Sequence, residues 1–244
     1  MRLKGGRLAS GIMDRVTMYV WLGGIALQGA LAAVVLLRKV WRELPFFAIY
    51  FLSNLTLGCL LYLMAIVHLS RNVYFYSHWS SQCVVLILGL GVVFEIFNHL
   101  FAPYAGLKKT VRMVFTCVAL LLMVCAAVVM VARPGGEPGV SALFLAAEEA
   151  FRLLEVGLVA LLFLSADLFG LPWRRSEFGI ALGMGIYAIS DLVTTSLRAY
   201  FGSSAMYALN IGTMLAFDFS LLIWISYLSP RQELSFLTHP EAQL

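Results

Sequence analysis

The chain has 244 residues, 61% of them hydrophobic and 12% charged, with a mean hydropathy of +0.90. Soluble domains carry roughly 25% charged residues, so the composition excludes an ordinary soluble domain and indicates an integral membrane protein. The formal charge of +4 comes from short basic clusters at the ends of apolar runs, which argues against a nucleic-acid partner.

A helix that crosses a bilayer needs about 20 apolar residues. Seven stretches have that length: 16–37, 45–67, 80–101, 111–132, 142–168, 177–200 and 204–228. The expected fold is an all-α membrane protein, a seven-transmembrane helix bundle forming one transmembrane domain over 1–244, with tails at 1–15 and 229–244. The first span carries Gln28. The second opens on Pro45, which suits the first turn of a helix, and carries Asn54. The segment 68–79, HLSRNVYFYSHW, reads as an aromatic loop lying at the outer membrane surface.

The third span carries Glu95, Asn98 and His99. Glu95 and His99 are one turn apart and share a face, which fits a proton relay or an interhelical clamp. The fourth span reads as a linker, followed by a turn at Pro134, Gly135, Gly136 and Pro138. The fifth is the most charged: Glu148, Arg152 and Glu155, spaced by four and three residues, lie on one stripe, and Glu149 is three residues from Arg152. There Arg152 either meets an anionic group in a pocket or forms a self-neutralising structural ion pair. Asp167, near the end of this span, is expected to reach Arg174 or Arg175. The sixth span holds Asp191 and Arg198, and the seventh holds Asn210 and Asp218. No proline falls inside a span, so the helices should be unbroken. That argues against transporters that bind substrate with unwound half-helices.

Three basic clusters (Arg38, Lys39 and Arg42; Lys108, Lys109 and Arg112; Arg174 and Arg175) fall on one side of a seven-span plan. The positive-inside rule then places the N-terminus outside and the C-terminus in the cytoplasm of an inner, cytoplasmic membrane. Arg2, Lys4, Arg7 and Arg15 oppose this, and three of the four would be lost if translation began at Met13. No cleavable signal peptide is expected. Cys59, Cys83, Cys117 and Cys125 lack metal-ligand spacing and read as packed thiols.

The two halves echo each other. Ile49 to Leu55 matches Ile186 to Leu192. Gly89 with Phe94-Glu95 matches Gly212 with Phe217-Asp218, and Leu27-Gln28 matches Leu154-Glu155 more weakly. Helices 1–3 then map onto helices 5–7 as a 3+1+3 parallel pseudo-repeat. The paired polar residues are Gln28, Asn54 and Glu95 against Glu155, Asp191 and Asp218. Acids in the spans outnumber Arg152 and Arg198, which implies protonation, water or a bound cation. No lysine lies in a span, so retinal is excluded. No paired histidines or hydrolase motif support a metal, haem or other cofactor.

The stretch YFYSHWSSQCVVLILGLGVVFEIFNHLFAPYAGLKKTVRMVF from Tyr74 to Phe115 resembles a family of small bacterial, acidobacterial-type, seven-helix membrane proteins. The likeness runs loosely from Leu44-Pro45-Phe46-Phe47 to Phe178-Gly179-Ile180. It implies a bacterial inner-membrane setting and no particular chemistry. The 3+1+3 plan is similar in architecture to SWEET-type sugar transporters. Those use prolines within their spans, and this chain has none there.

The expected function is non-enzymatic: a sensor or accessory subunit with a polar midplane site for a small molecule, proton or cation. The site residues are Glu95, Asp191 and Asp218, backed by Asn54, Glu155, Arg152, His99 and Gln28. Its partners would be the lipid bilayer and a membrane or cytoplasmic protein. The alternative is a proton- or cation-coupled small-solute transporter using the same residues, and a membrane lipid-modifying enzyme is a distant third.

Overall fold

The computed structural model describes residues 3–67, 70–102, 140–201 and 206–229, with Met113, Thr116, Cys117, Leu120 and Val124. Seven helices are found among the described residues: α1 (Leu3–Leu37), α2 (Val40–Glu43), α3 (Pro45–Ile66), α4 (Arg71–Leu100), α5 (Val140–Leu168), α6 (Arg175–Phe201) and α7 (Met206–Leu228). α2 is a single turn. Most of the expected span 111–132 lies outside the described residues.

Five helices are long and apolar enough to cross a membrane, over Arg15–Leu37, Pro45–Met64, Asn72–Leu100, Arg175–Leu197 and Tyr207–Leu228. α5 has 29 residues and the length to do so, but it carries the most charge. The distribution of side chains suits a multi-pass membrane protein. Trp21, Leu22 and Ile25 on α1, Leu60 and Leu63 on α3, and Leu215, Phe219 and Leu222 on α7 face outward. Glu95, Arg152, Glu155, Glu177 and Ser220 are buried. In water that arrangement forfeits apolar burial worth about 25 cal/mol per Å². In hydrocarbon it is the favourable one, because the polar groups meet each other rather than lipid.

The helices pack in the order α3, α4, α5, α6, α7, α1, and a lighter contact between α1 and α3 closes the ring. α3 runs antiparallel to α4 and α6 antiparallel to α7, whereas α4 and α5 run parallel, their ends meeting through the rings of Phe101 and Phe169 at 6.1 Å between centroids. The end of α4 meets the start of α3 through Glu95 and Phe46, and the start of α6 meets the end of α7 through Arg175 and Ser226. At the other end Thr17 of α1 bonds Tyr207 of α7. The first of these ends is called the Pro45 end below. Across the middle, Trp224 of α7 meets the rings of Phe47 and Tyr50 of α3 at 5.4 and 6.4 Å between centroids.

α6 and α7 pack most closely. A methyl group on Gly179 or Gly183 of α6 would collide with Tyr227 or Trp224 of α7, so the G-x-x-x-G spacing lets the two backbones approach. Trp224 Nε1 donates to the Ile180 carbonyl at 3.2 Å, and Ser220 Oγ donates to the Gly183 carbonyl at 2.9 Å. α5 ends in a Schellman turn. Gly170 has φ +59°, the Leu171 N–H reaches the Ala166 carbonyl at 2.9 Å, and the Gly170 N–H reaches that of Asp167 at 3.1 Å.

Two boundaries differ from expectation. α1 begins at Leu3, so the expected tail is already helical there. α4 begins at Arg71, so within the expected loop 71–79 is instead the start of a 30-residue helix. No glycine or proline lies between Arg71 and Gly89. Ring pairs one turn apart, Tyr74 with His78 at 6.3 Å and Phe75 with Trp79 at 6.2 Å, line the helix. Falling hydropathy there reflects a change of surroundings and does not break the helix.

Candidate functional site

The central polar cluster grows from α5. Arg152 and Glu155 stand three residues apart and therefore on one face, and the helix turns that face inward: Arg152 is 4% and Glu155 2% exposed. Arg152 Nη1 donates to Glu155 Oε2 at 3.0 Å. From α6, Tyr187 and Asp191 are one turn apart and face the same guanidinium. Arg152 Nη2 donates to the Tyr187 hydroxyl over a long 3.5 Å, and the guanidinium carbon lies 4.9 Å from the Tyr187 ring centroid, a cation–π contact. Arg152 Nε lies 2.8 Å from Asp191 Oδ2. This is an ion pair without hydrogen-bond alignment, since the buried Nε has no hydrogen-bond partner.

Three further helices close the cluster. Gly89 of α4 sits so close that a Cβ there would lie 3.3 Å from Glu155 Oε1 and 3.6 Å from the ring of Tyr50. A side chain there would require the Glu155 carboxylate to give by a few tenths of an ångström. Tyr50 of α3 is 1% exposed. Phe217 of α7 packs on Tyr187 with ring centroids 5.3 Å apart. One guanidinium, two carboxylates and two phenols thus face one another at the meeting of α3, α4, α5, α6 and α7.

With both carboxylates ionised and the phenols neutral, the Arg152 charge leaves one carboxylate charge in excess. An unbalanced charge away from water costs several kcal/mol, so the cluster is suited to take up a proton, a small cation or a hydrogen-bond donor. Asp191 is the accessible member, its side chain 14% exposed against 3% for Glu155 and 5% for Arg152.

The structure thus brings together Arg152, Glu155 and Asp191 and places the other candidates elsewhere. Glu95 is at the Pro45 end, where Oε1 accepts from the Phe46 N–H at 3.0 Å and Oε2 from the Phe47 N–H at 3.1 Å. It caps α3, whose first amides have no intrahelical partner. His99 does not turn to Glu95 for its nearest acid. Its Nδ1 lies 3.4 Å from Glu177 Oε1 of α6. Asp218 lies against α1, where a Cβ on Gly24 would come within 2.7 Å of Oδ1. Gln28 and Asn54 are half-buried and join none of these contacts. The side chains of Glu148 and Arg198 lie outside the described residues.

Three residues enter that the sequence did not single out, and one pairing is corrected. Tyr50 and Tyr187 occupy matching places in the two echoed segments, which was the available signal for both. Glu177, in the first turn of α6, is 2% exposed and gathers His99 and, at 3.9 Å, Arg174. Asp167 meets neither of its expected partners: it is exposed, while Arg175 donates to the Ser226 carbonyl at 2.8 Å. The Schellman turn redirects the chain after Asp167 and carries the two arginines toward α6 and α7.

Compared with family models, with curated proteins and with solved structures, the chain matches none.

Proposed function

We propose that the chain is a non-enzymatic, seven-span membrane protein that binds a proton or a small cationic solute at the Arg152–Glu155–Asp191 cluster and acts as a sensor or accessory subunit. The observation that carries this reading is the single buried guanidinium between two carboxylates from adjacent helices, with the more accessible acid on α6. A ligand that competes with Arg152 for Asp191 changes the link between α5 and α6. Such a change can be read by a partner protein without a broken helix, and α3 to α7 run unbroken through their described lengths.

The contact order supports the parallel repeat. A pseudo-twofold that maps α1, α3 and α4 onto α5, α6 and α7 turns the α4–α5 contact into the α7–α1 contact, and both are present. The basic clusters support an N-out, C-in orientation. The resemblance of 74–115 to a bacterial seven-helix family supports a bacterial cytoplasmic membrane.

The second reading is a proton- or cation-coupled transporter. It is favoured by the cluster's position between the two halves, with Tyr50 and Gly89 from one and Arg152, Glu155 and Asp191 from the other. One experiment separates the readings. Purified protein is melted in a panel of alkali cations and small amines, and the same panel is tested for flux in proteoliposomes. A ligand at 100 times its Kd stabilises by about 2.7 kcal/mol. The first reading expects such a shift in the wild type, its loss in Asp191→Asn, and no flux. Flux abolished by Asp191→Asn supports the transporter. Neither shift nor flux with any solute would overturn both.

A further inference from the structure

The connection between α1 and α3 carries a feature that the central cluster does not use. It contains Arg38, Lys39, Val40, Trp41, Arg42, Glu43 and Leu44. Val40 and Leu44 are buried at 7% and 2% exposure, which pins the turn to the bundle. The same geometry turns Arg38, Lys39, Trp41, Arg42 and Glu43 outward, and all five are exposed. No ion pair holds any of the three cations among the described residues. The Arg42 guanidinium instead lies 5.1 Å from the Trp41 ring centroid.

Lys39 makes this turn unusual. Its φ is +53°, and it is the only non-glycine residue with positive φ among those described. In that left-handed conformation a Cβ crowds the backbone, so glycine or asparagine is the ordinary choice. The backbone asks for a glycine, and a strained lysine stands there. The α1 dipole favours a cation at this end, but one charge would satisfy it.

The side chains also form a gradient of polarity. Leu36 and Leu37 at the end of α1 are strongly exposed apolar residues suited to hydrocarbon. Trp41 follows, 49% exposed, as an amphipathic ring suited to the interface. Arg38 and Lys39 stand between these leucines and Trp41, and Arg42 follows the ring, cations suited to headgroup level. Exposed Arg174 and Arg175 lie at the same end of the bundle.

We infer that the Arg38–Arg42 turn is a binding site for the headgroup of an anionic phospholipid. The phosphodiester is held by Lys39 and its neighbouring guanidiniums, and the glycerol region lies against Trp41. Electrostatics near an anionic leaflet makes each such cation matter about fivefold in affinity. The site is independent of the central cluster.

The test uses the full-length protein in mixed micelles containing brominated phosphatidylglycerol or brominated phosphatidylcholine, which quench nearby tryptophan. The Trp41 signal is the difference between each protein and its Trp41→Phe counterpart. The wild type should be quenched at a several-fold lower mole fraction of phosphatidylglycerol than of phosphatidylcholine. Lys39→Gly should reduce that preference about fivefold while its Tm stays level or rises, because glycine relieves the backbone. Adding Arg38→Gln and Arg42→Gln should abolish it. Equal quenching by the two lipids in the wild type would overturn the inference. So would an unchanged preference in Lys39→Gly, or a fall in its Tm, which would make Lys39 structural. A preference erased by millimolar inorganic phosphate would reassign the turn to a free anion and overturn the lipid assignment.

Discussion

Arg152 shows how one side chain organises this bundle. Its guanidinium is 4% exposed and is shared by Glu155, Asp191 and Tyr187. Arg152→Gln would leave the buried Glu155 and the partly buried Asp191 without a counter-charge, and losing one partner of a buried ion pair costs about 3–5 kcal/mol. Thermal unfolding in detergent should therefore show a large loss, where a merely peripheral arginine would show almost none. Glu95 is a structural counterpart. Glu95→Ala removes the acceptor of two α3 amides and should cost roughly 2 kcal/mol by the same measurement, with Glu95→Gln intermediate. The Arg152–Glu155 pair was legible in the sequence because both residues lie on one helix at a fixed spacing. The Asp191 partner was not, because a crossing between helices leaves no local spacing. Glu95 was harder still, since a carboxylate in an apolar run looks the same whether it awaits a ligand or an amide. The clue lay in Leu44-Pro45. A helix opened by proline, with leucine where a capping side chain would stand, leaves the Phe46 and Phe47 amides in need of an acceptor from another helix.

At the scale of helices, hydropathy marks where a chain can meet lipid and not where a helix starts. That is why the ends at Pro45, Leu168 and Leu228 follow the apolar runs, while α1 and α4 extend past theirs. The start of α4 was legible by another route: the absence of any glycine or proline from Arg71 to Leu88. The α6–α7 contact was legible too, in the G-x-x-x-G of Gly179 and Gly183, although its partners Tyr227 and Trp224 were not. Gly179→Ala should force the two helices apart and cost about 1–3 kcal/mol, because the collision is with the rigid base of Tyr227 and not with a flexible tip. Gly58→Ala in α3 is the control. Nothing lies within 4 Å of a Cβ there, and helix propensity favours alanine by roughly 1 kcal/mol. Melting both variants in one detergent should move Tm in opposite directions, and a fall in both would point to helix-independent damage.

For the whole molecule, the ring of helices places polar groups inward at two levels. The Arg152 cluster lies in the interior, while Glu95, His99 and Glu177 tie α3, α4 and α6 together at the Pro45 end. The lower level braces the bundle through its helix ends, and the upper one holds the surplus charge. The partners each acid finds, rather than its depth, distinguish Glu95 and Glu177 at the helix ends from Asp191 in the cluster. The most direct test is therefore the thermal stability of Asp191→Asn with and without small cations. The substitution leaves Arg152 balanced by Glu155 alone, so the account expects stability within about 1 kcal/mol of the wild type, set against the 3–5 kcal/mol expected for Arg152→Gln, and no response to any cation that stabilises the wild type. Collapse of Asp191→Asn to the level of Arg152→Gln, or an undiminished cation response, would contradict it.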